Sequence, residues 1–132
     1  MKKIIYIFFL VCSNSLYADN INTKKENHIL YDCKYNFFAS PNGLLKVEDN
    51  FGSKFTINKK DNKALLIGSI GVSEVSVIKH DYGITFLDVG PNGDVSTTTI
   101  QDSTGEVVHS RNSIVFKNFM PTQYYGYCKK WG

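Results

Sequence analysis

Long apolar segments are scarce in this sequence of 132 residues. The longest run, residues 4–12, holds nine apolar residues and directly follows Lys2 and Lys3. A helix that spans a bilayer needs about 20 apolar residues, so this run is too short for a permanent membrane anchor. No later segment approaches that length, and we therefore expect no transmembrane segment once the first residues are removed.

The first residues have the order that is typical of a secretory signal peptide. The positive start and the apolar run are followed by polar residues 13–15 and by the small residue Ala18. This order predicts that residues 1–18 are a cleaved signal peptide and that the chain is exported. The alternative is a lipoprotein acylated at Cys12, but lipoproteins carry a small residue where this chain has Val11.

Charge of one sign is not concentrated anywhere in the chain. The formal net charge of +3 becomes +1 when Lys2 and Lys3 leave with the signal peptide. The remaining basic pairs, at 24–25, 59–60 and 129–130, are short and far apart. Because nucleic-acid-binding proteins gather Lys and Arg on one face, the sequence argues against a nucleic-acid partner.

Cysteine is also scarce, and its count is informative. Of the three cysteines, Cys12 leaves with the predicted signal peptide, so that Cys33 and Cys128 remain. An even number of cysteines in an exported chain predicts a disulfide, here with only one possible pairing. Two separate buried thiols are the alternative. A bridge across so long a loop is expected to stabilise the fold by about 4–5 kcal/mol.

Apolar residues at helical spacing are missing, and strand signals take their place. Short runs rich in Val, Ile, Phe, Tyr and Thr are separated by Gly, Asn, Pro and Asp about every ten residues. The predicted strands cover residues 29–38, 44–48, 53–58, 63–68, 72–79, 84–89, 95–101, 107–116 and 123–128.

These strands predict one all-β domain over residues 28–132, preceded by a flexible polar leader at 19–27. We expect a small antiparallel meander of about eight strands, closed as a barrel or packed as a sandwich. Cys33 lies in the first predicted strand and Cys128 in the last. The predicted disulfide therefore joins the first and last strands.

Three segments in the second half carry a resemblance to known proteins. They are TTTI at residues 97–100, VHSRN at 108–112 and PTQYYGYC at 121–128. Together they resemble the C-terminal third of small exported proteins of Gram-negative bacteria that end in a proline-x-Gln-Tyr-Tyr-Gly-x-Cys segment. The resemblance implies export to the periplasm, a disulfide and a β fold. That group has no settled function, so no activity and no site residue is carried over.

A second resemblance concerns the segment SPNGLLK at residues 40–46. It is similar to the Ser-x-x-Gly-x-x-Tyr loop that periplasmic inhibitors of c-type lysozyme present to the lysozyme cleft. Those inhibitors are also small β-barrels with a signal peptide and a disulfide. Lys46 stands where that family has tyrosine, so the resemblance implies a similar architecture only.

Motifs for catalysis or metal binding are absent from the sequence. His28, His80 and His109 are far apart and form neither an HxH nor an HExxH pattern, and no GxSxG elbow occurs. The loop at residues 88–94 lacks the ligand spacing of a calcium loop and is predicted to be a turn. We therefore predict no metal, no cofactor and no enzymatic activity, although a triad assembled in space stays open.

The best candidate binding patch lies in the last two predicted strands. His109 and Arg111 are two residues apart and so share one face, where Gln123, Tyr124 and Tyr125 could join them around an anionic group. The favoured alternative is that His109 and Arg111 are simply the solvent face of an amphipathic strand, with Val108 on the other face.

Two further segments have a favoured structural interpretation. Residues 96–99, which carry one serine and three threonines, are interpreted as an exposed strand. The aromatic residues of the tail at 116–131 are typical either of an interface or of a core. We favour core packing and end-capping, because Cys128 fastens this segment to the first strand.

Taken together, these features favour a non-catalytic binding or interaction module, whose partner stays open between another envelope protein and a small ligand. A barrel that carries a small ligand is the first alternative, and a protein similar to the lysozyme inhibitors is the second. A hydrolase is the least supported, because it needs a nucleophile and a base close together.

Overall fold

A computed structural model describes residues 27–48 and 51–132 of the chain. The predicted signal peptide at 1–18 lies outside these residues, as does the predicted leader except for Asn27. Within the described ranges, no helix is long and apolar enough to cross a bilayer.

The described residues form β-strands joined by short turns. The strands are β1 (His28–Ser40), β2 (Gly43–Lys46), β3 (Gly52–Asn58), β4 (Ala64–Gly68), β5 (Gly71–His80), β6 (Gly83–Val89), β7 (Val95–Gln101), β8 (Glu106–Asn112), β9 (Ile114–Val115), β10 (Asn118–Phe119) and β11 (Thr122–Trp131). The predicted all-β class is confirmed.

Eight of these strands close into an antiparallel barrel. β1, β3, β4, β5, β6, β7, β8 and β11 pair in that order, and β11 pairs back onto β1. Each barrel strand pairs with the barrel strand that follows it in sequence, which is the predicted meander, and the two longer connections, after β1 and after β8, contain β2 and the strands β9 and β10. β2 folds back on the last residues of β1, and β9 pairs only with β10 in a separate hairpin.

The predicted disulfide is confirmed and lies at the closing strand pair. Cys33 of β1 and Cys128 of β11 are directly opposite each other, with their Cα atoms 3.9 Å apart. The bridge therefore fastens the first strand of the barrel to the last across 95 positions of sequence.

The lower half of the barrel interior is filled by apolar side chains. The rings of Phe55 and Phe86 stack with their centroids 4.2 Å apart, and Tyr31 meets Phe86 edge-on at 5.7 Å. The buried apolar residues are Tyr31, Cys33, Tyr35, Phe55, Ile57, Ala64, Val75, Ile84, Phe86, Ile100 and Val107. They occupy alternate positions along their strands, because successive side chains of a strand point to opposite faces.

A β-bulge reshapes the upper part of β1. The register with β11 shifts between Tyr35 and Phe37, so that Asn36 and Phe37 both lie on the outer face. Phe38 then turns back toward the interior, where it stacks on Tyr124 at 5.6 Å. A Cβ atom at Gly126 would collide with the backbone carbonyl oxygen of Lys34, which explains the glycine beside this bulge.

The two ends of the barrel are defined by its connections. Turns at residues 41–42, 69–70 and 90–94, together with the connection at 113–121, lie at what we call the upper end. Turns at 59–63, 81–82 and 102–105 lie at the lower end. Every second connection reaches the same end because the strands alternate in direction.

The structure corrects two predictions for the C-terminal part of the chain. The strand predicted at 107–116 ends at Asn112, because the chain leaves the barrel there and forms the hairpin of β9 and β10. The tail aromatics do not fill the core as favoured. Phe116 is 93% exposed, and Phe119, Tyr127 and Trp131 are exposed as well, whereas Tyr124 packs against the core.

The position of the disulfide generates a stability prediction. Replacing Cys33 and Cys128 together by serine is expected to lower the free energy of unfolding by about 3–5 kcal/mol, because the unfolded chain regains the freedom of a 95-residue loop. Urea unfolding under oxidising conditions measures the change. Reductant should destabilise the native chain and leave the double variant unchanged; equal stability of the two oxidised proteins would contradict the prediction.

Candidate functional site

A layer of polar side chains crosses the barrel interior above the apolar core. The Tyr35 hydroxyl lies 2.8 Å from Ser53 Oγ, and Thr98 Oγ1 lies 2.7 Å from His109 Nδ1. Tyr35 also interacts with Thr98, which connects the two pairs. Strands β3, β1, β7 and β8 each contribute one of these four groups, which lie at inward-facing positions. The layer is therefore a connected polar floor.

Burial controls the protonation of this floor. Tyr35 is only 5% exposed, and burial raises the pKa of its phenol, an effect that hydrogen bonds with Ser53 and Thr98 oppose. Burial also lowers the pKa of His109, and the positive charge of Arg111 lowers it further, whereas the carboxylate of Asp88 opposes this shift. Both groups are consequently neutral near pH 7.

Charged groups stand above the polar floor, near the mouth of the barrel. Arg111 Nη2 donates to Asp94 Oδ2 across 3.0 Å. Asp88 faces inward beside them on β6. The positive charge of Arg111 is therefore already paired with the carboxylate of Asp94, and the carboxylate of Asp88 lies nearby. This arrangement does not favour the anionic group considered from the sequence, because a bound anion would meet the two carboxylates as well as the arginine.

Aromatic rings form one wall of the same region. Tyr124 is at their centre, with ring centroids 4.8 Å from Phe51, 5.6 Å from Phe38, 5.7 Å from Tyr35 and 6.0 Å from His109. Such separations are typical of attractive aromatic pairs. The wall offers flat apolar surface next to the hydroxyl groups of the floor.

The polar floor, the charged groups and Phe51 line a cavity of about 570 Å³ that opens at the upper end, whereas Tyr124 and Phe38 lie behind Phe51 and line a separate pocket. The lining of the cavity includes Tyr35, Phe51, Ser53, Asp88, Ser96, His109 and Arg111. The volume lies within the range of sites for small molecules, which combine an apolar wall with a few polar groups. An eight-stranded barrel has room for one small ligand where side chains do not fill it.

The five residues of the predicted patch are divided between two faces. His109 and Tyr124 point inward, and Arg111 lies at the cavity mouth. Gln123 and Tyr125 lie on the outer face, where the Tyr125 hydroxyl donates to Gln123 Oε1 across 2.6 Å. The patch therefore does not form as one unit, because residues 123 and 125 have the opposite parity to 124.

The favoured interpretation of His109 as a solvent-face residue is wrong. His109 is half-buried in the barrel interior, and it is Val108 that lies on the exposed outer face. A polar residue faces inward here because Thr98, on the neighbouring strand, supplies a hydrogen-bond partner.

The sequence reasoning missed several residues of the cavity. Residues 96–99 are not simply an exposed strand, since Thr98 is 2% exposed and belongs to the polar floor. The cavity also includes Tyr35 and Ser53, and Asp88, which lies in β6 and not in the turn predicted at 88–94. A signal for Tyr35 existed, because it shares the parity of Cys33 and cysteine is among the residues most often buried.

The partner of His109 is a buried threonine hydroxyl, which a substrate cannot reach because Thr98 is nearly inaccessible to solvent. No group of three His, Cys, Asp or Glu side chains lies together among residues 27–48 and 51–132.

The fold and the site thus define a closed eight-stranded antiparallel barrel with a polar-floored cavity at one end. In comparisons with known proteins, no family model, no curated protein and no solved structure matches this chain.

The lowered pKa of His109 predicts a dependence of stability on pH. The unfolded chain binds a proton at this side chain more readily than the folded one, so the stabilisation is complete above pH 6.5 and is lost as the pH falls below it. We expect His109→Asn, whose amide replaces Nδ1 as partner of Thr98, to weaken this loss. Urea midpoints at about pH 7.5 and 5 provide the measurement.

The matched control for this prediction is His80→Asn, at an exposed histidine that lies 3.4 Å from Thr85 Oγ1. It should retain the full loss of stability in acid. An identical acid response of the native chain and the His109→Asn variant would contradict the role assigned to His109.

Proposed function

We propose that this chain is an exported, non-catalytic binding protein that holds a small ligand at the upper end of its barrel. The observation that carries the proposal is the cavity of about 570 Å³ above a polar floor. Filling this space with apolar side chains would give a more stable barrel, so the open volume and its hydrogen-bonding groups point to an external ligand.

The chemistry of the walls favours an uncharged ligand with a flat or apolar body. Phe51 offers a ring face, Phe55 and Leu66 add apolar surface, and the hydroxyl groups of Tyr35 and Ser53 offer hydrogen bonds. Because Arg111 is already paired with Asp94, its positive charge is not free to attract an anion. A neutral aromatic or amphiphilic molecule that carries one or two polar groups fits these walls best.

Export supports the same proposal from the sequence. The signal-like order of residues 1–18 accounts for transport out of the cytoplasm, and the disulfide fits an oxidising compartment. The resemblance of the C-terminal third to small exported proteins of Gram-negative bacteria supports the periplasm as that compartment.

Ligand entry can be tested with two matched dyes. N-phenyl-1-naphthylamine is neutral, whereas 8-anilinonaphthalene-1-sulfonate has nearly the same body and a negative charge. We expect the neutral dye to bind at least tenfold more tightly, because the carboxylates of Asp88 and Asp94 oppose the sulfonate. Fluorescence titration at moderate ionic strength gives both dissociation constants.

Two variants on one strand show where the dye binds. Ser96 faces the cavity and Thr97 faces outward, so Ser96→Phe fills the site while Thr97→Phe adds the same ring outside it. We expect the first variant to weaken binding of the neutral dye at least tenfold and the second to change it little. Equal binding by the two variants would refute the cavity as the ligand site.

A second candidate function, docking of another envelope protein, is favoured by one observation on the outer face. Phe37, Val108, Tyr125 and Tyr127 line a shallow groove of about 700 Å³ there, and all four are exposed. The bulge in β1 turns Phe37 outward toward this groove. Exposed tyrosine clusters are frequent in protein interfaces because they combine contact area with a polar tip.

This second candidate predicts a partner that depends on the outer tyrosines. When the tagged protein is incubated with envelope extract, one defined band should be retained by the native chain and lost with Tyr125→Ser and Tyr127→Ser together. Ile67→Ser, on the exposed face of β4, is the control and should retain the band. Equal retention by all three proteins counts against docking at this groove.

A further inference from the structure

The connections at the two ends of the barrel differ in their chemistry. The lower-end turns at 59–63, 81–82 and 102–105 consist of polar and charged residues, with Tyr82 and Gly105 as the exceptions. The upper end instead exposes large apolar side chains from three separate connections. We call this set the apolar rim: Leu44, Ile70, Ile114, Phe116, Phe119 and Met120.

The most prominent part of the apolar rim is the hairpin of β9 and β10. Ser113 and Met120 pin its base, because the backbone N–H of Met120 donates to the Ser113 carbonyl at 2.8 Å and Ser113 Oγ donates to the Met120 carbonyl at 3.2 Å. Phe116 and Lys117 form the two-residue turn at its tip. Two hydrogen bonds therefore hold the base of the hairpin, and its tip exposes Phe116.

The turn at the tip of the hairpin contains two residues that rarely adopt its backbone conformation. Phe116 has a φ of 48° and Lys117 a φ of 69°, which is the conformation of a type I′ turn and is strongly preferred by Asn-Gly. Non-glycine residues in this region are strained. Since Phe116 is 93% exposed, no internal packing compensates for that strain. The aromatic side chain at this position therefore points to a role outside the molecule.

We propose that the apolar rim docks on the surface of a lipid bilayer, with Phe116 and Phe119 inserted at the boundary between headgroups and acyl chains. This inference does not depend on the proposed ligand, because it rests on the exposed loops alone. It does place the cavity mouth against the membrane, since both lie at the upper end.

The composition of the apolar rim fits a lipid surface. It consists of leucine, isoleucine, phenylalanine and methionine, and leucine and phenylalanine are residues with which interfacial segments enter the boundary of a bilayer. Acyl chains offer no hydrogen bonds, so purely apolar side chains suffice for them. Lys117 stands between the two phenylalanines in sequence, and its long side chain can reach headgroup phosphates while they insert.

The spatial arrangement points the same way. The exposed side chains come from the β1–β2 hairpin, the turn at 69–70 and the connection at 113–121, at one end of the barrel. Several connections at the same end of the barrel can meet one bilayer surface together, and each adds buried apolar area when it enters.

Vesicle co-sedimentation tests the proposal on the purified chain. The probe is a vesicle of phosphatidylcholine and phosphatidylglycerol in a 3:1 ratio. We expect the native chain to bind, and Phe116→Ser with Phe119→Ser to reduce the partition coefficient at least tenfold. The control is Tyr82→Ser, an equally exposed aromatic position at the lower end, which should bind as the native chain does. Absence of native binding, or equal loss in the control, overturns the proposal.

A second variant separates docking from folding. Phe116→Asn with Lys117→Gly supplies the preferred type I′ sequence, so the melting temperature should rise while vesicle binding falls. A stabilised variant that still binds vesicles as tightly as the native chain overturns the proposal. The Ser96→Phe variant should lose the neutral dye yet keep vesicle binding, so failure of the ligand site and failure of the apolar rim are distinguishable.

Photo-crosslinking identifies the molecule that contacts the apolar rim. A photoreactive phenylalanine analogue at position 116 should yield lipid adducts when the chain is irradiated in envelope membranes. Adducts that consist instead of one protein of defined mass would overturn the lipid assignment and identify a protein partner.

Discussion

The pairing of β1 with β11 is the constraint on which the rest of the molecule depends. A sheet of eight strands has two free edges, and here those edges are joined to each other, so that their backbone N–H and C=O groups are satisfied within the chain. This junction joins the most distant parts of the sequence, so its formation closes the longest loop of the fold and has the largest cost in chain entropy. The bridge between Cys33 and Cys128 lies within it and holds the two edges in register.

Closure of the barrel also creates an interior with an apolar lower half and a layer of polar groups above it. Phe55 and Phe86 fill the lower half by stacking, whereas Tyr35 and Thr98 bring hydroxyl groups into the middle. A buried hydroxyl is tolerated only with a partner, and among the described residues no buried side-chain nitrogen or oxygen lacks one. The polar floor is thus compatible with a stable barrel, and it leaves the space above it free for another molecule.

Much of the fold could be predicted from the sequence, but much of the site could not. Regular turn signals and alternating apolar residues located the strands of the barrel, and the two cysteines fixed its closure. It was harder to predict which side chains of each strand face the barrel interior. His109 could not be placed inside because its partner Thr98 lies on another strand, and alternation alone does not identify the inner face. The prediction that Phe116 packs in the core is wrong. Its hydrophobicity favours burial, but the sequence pattern does not reveal the strained turn that holds this side chain in solvent.

The location of the bridge has a consequence for the shape of the cavity. Cys33 is two residues from Tyr35 on the same inner face of β1, and Cys128 lies on the strand that carries Tyr124. The strand pair that the disulfide links therefore supplies Tyr35 to the cavity and Tyr124 to the aromatic cluster packed against it. When the disulfide is reduced, this strand pair loses its covalent link and is held by hydrogen bonds and packing alone. The shape of the cavity beside Tyr35 is in this way sensitive to the oxidation state of two cysteines that lie far apart in sequence.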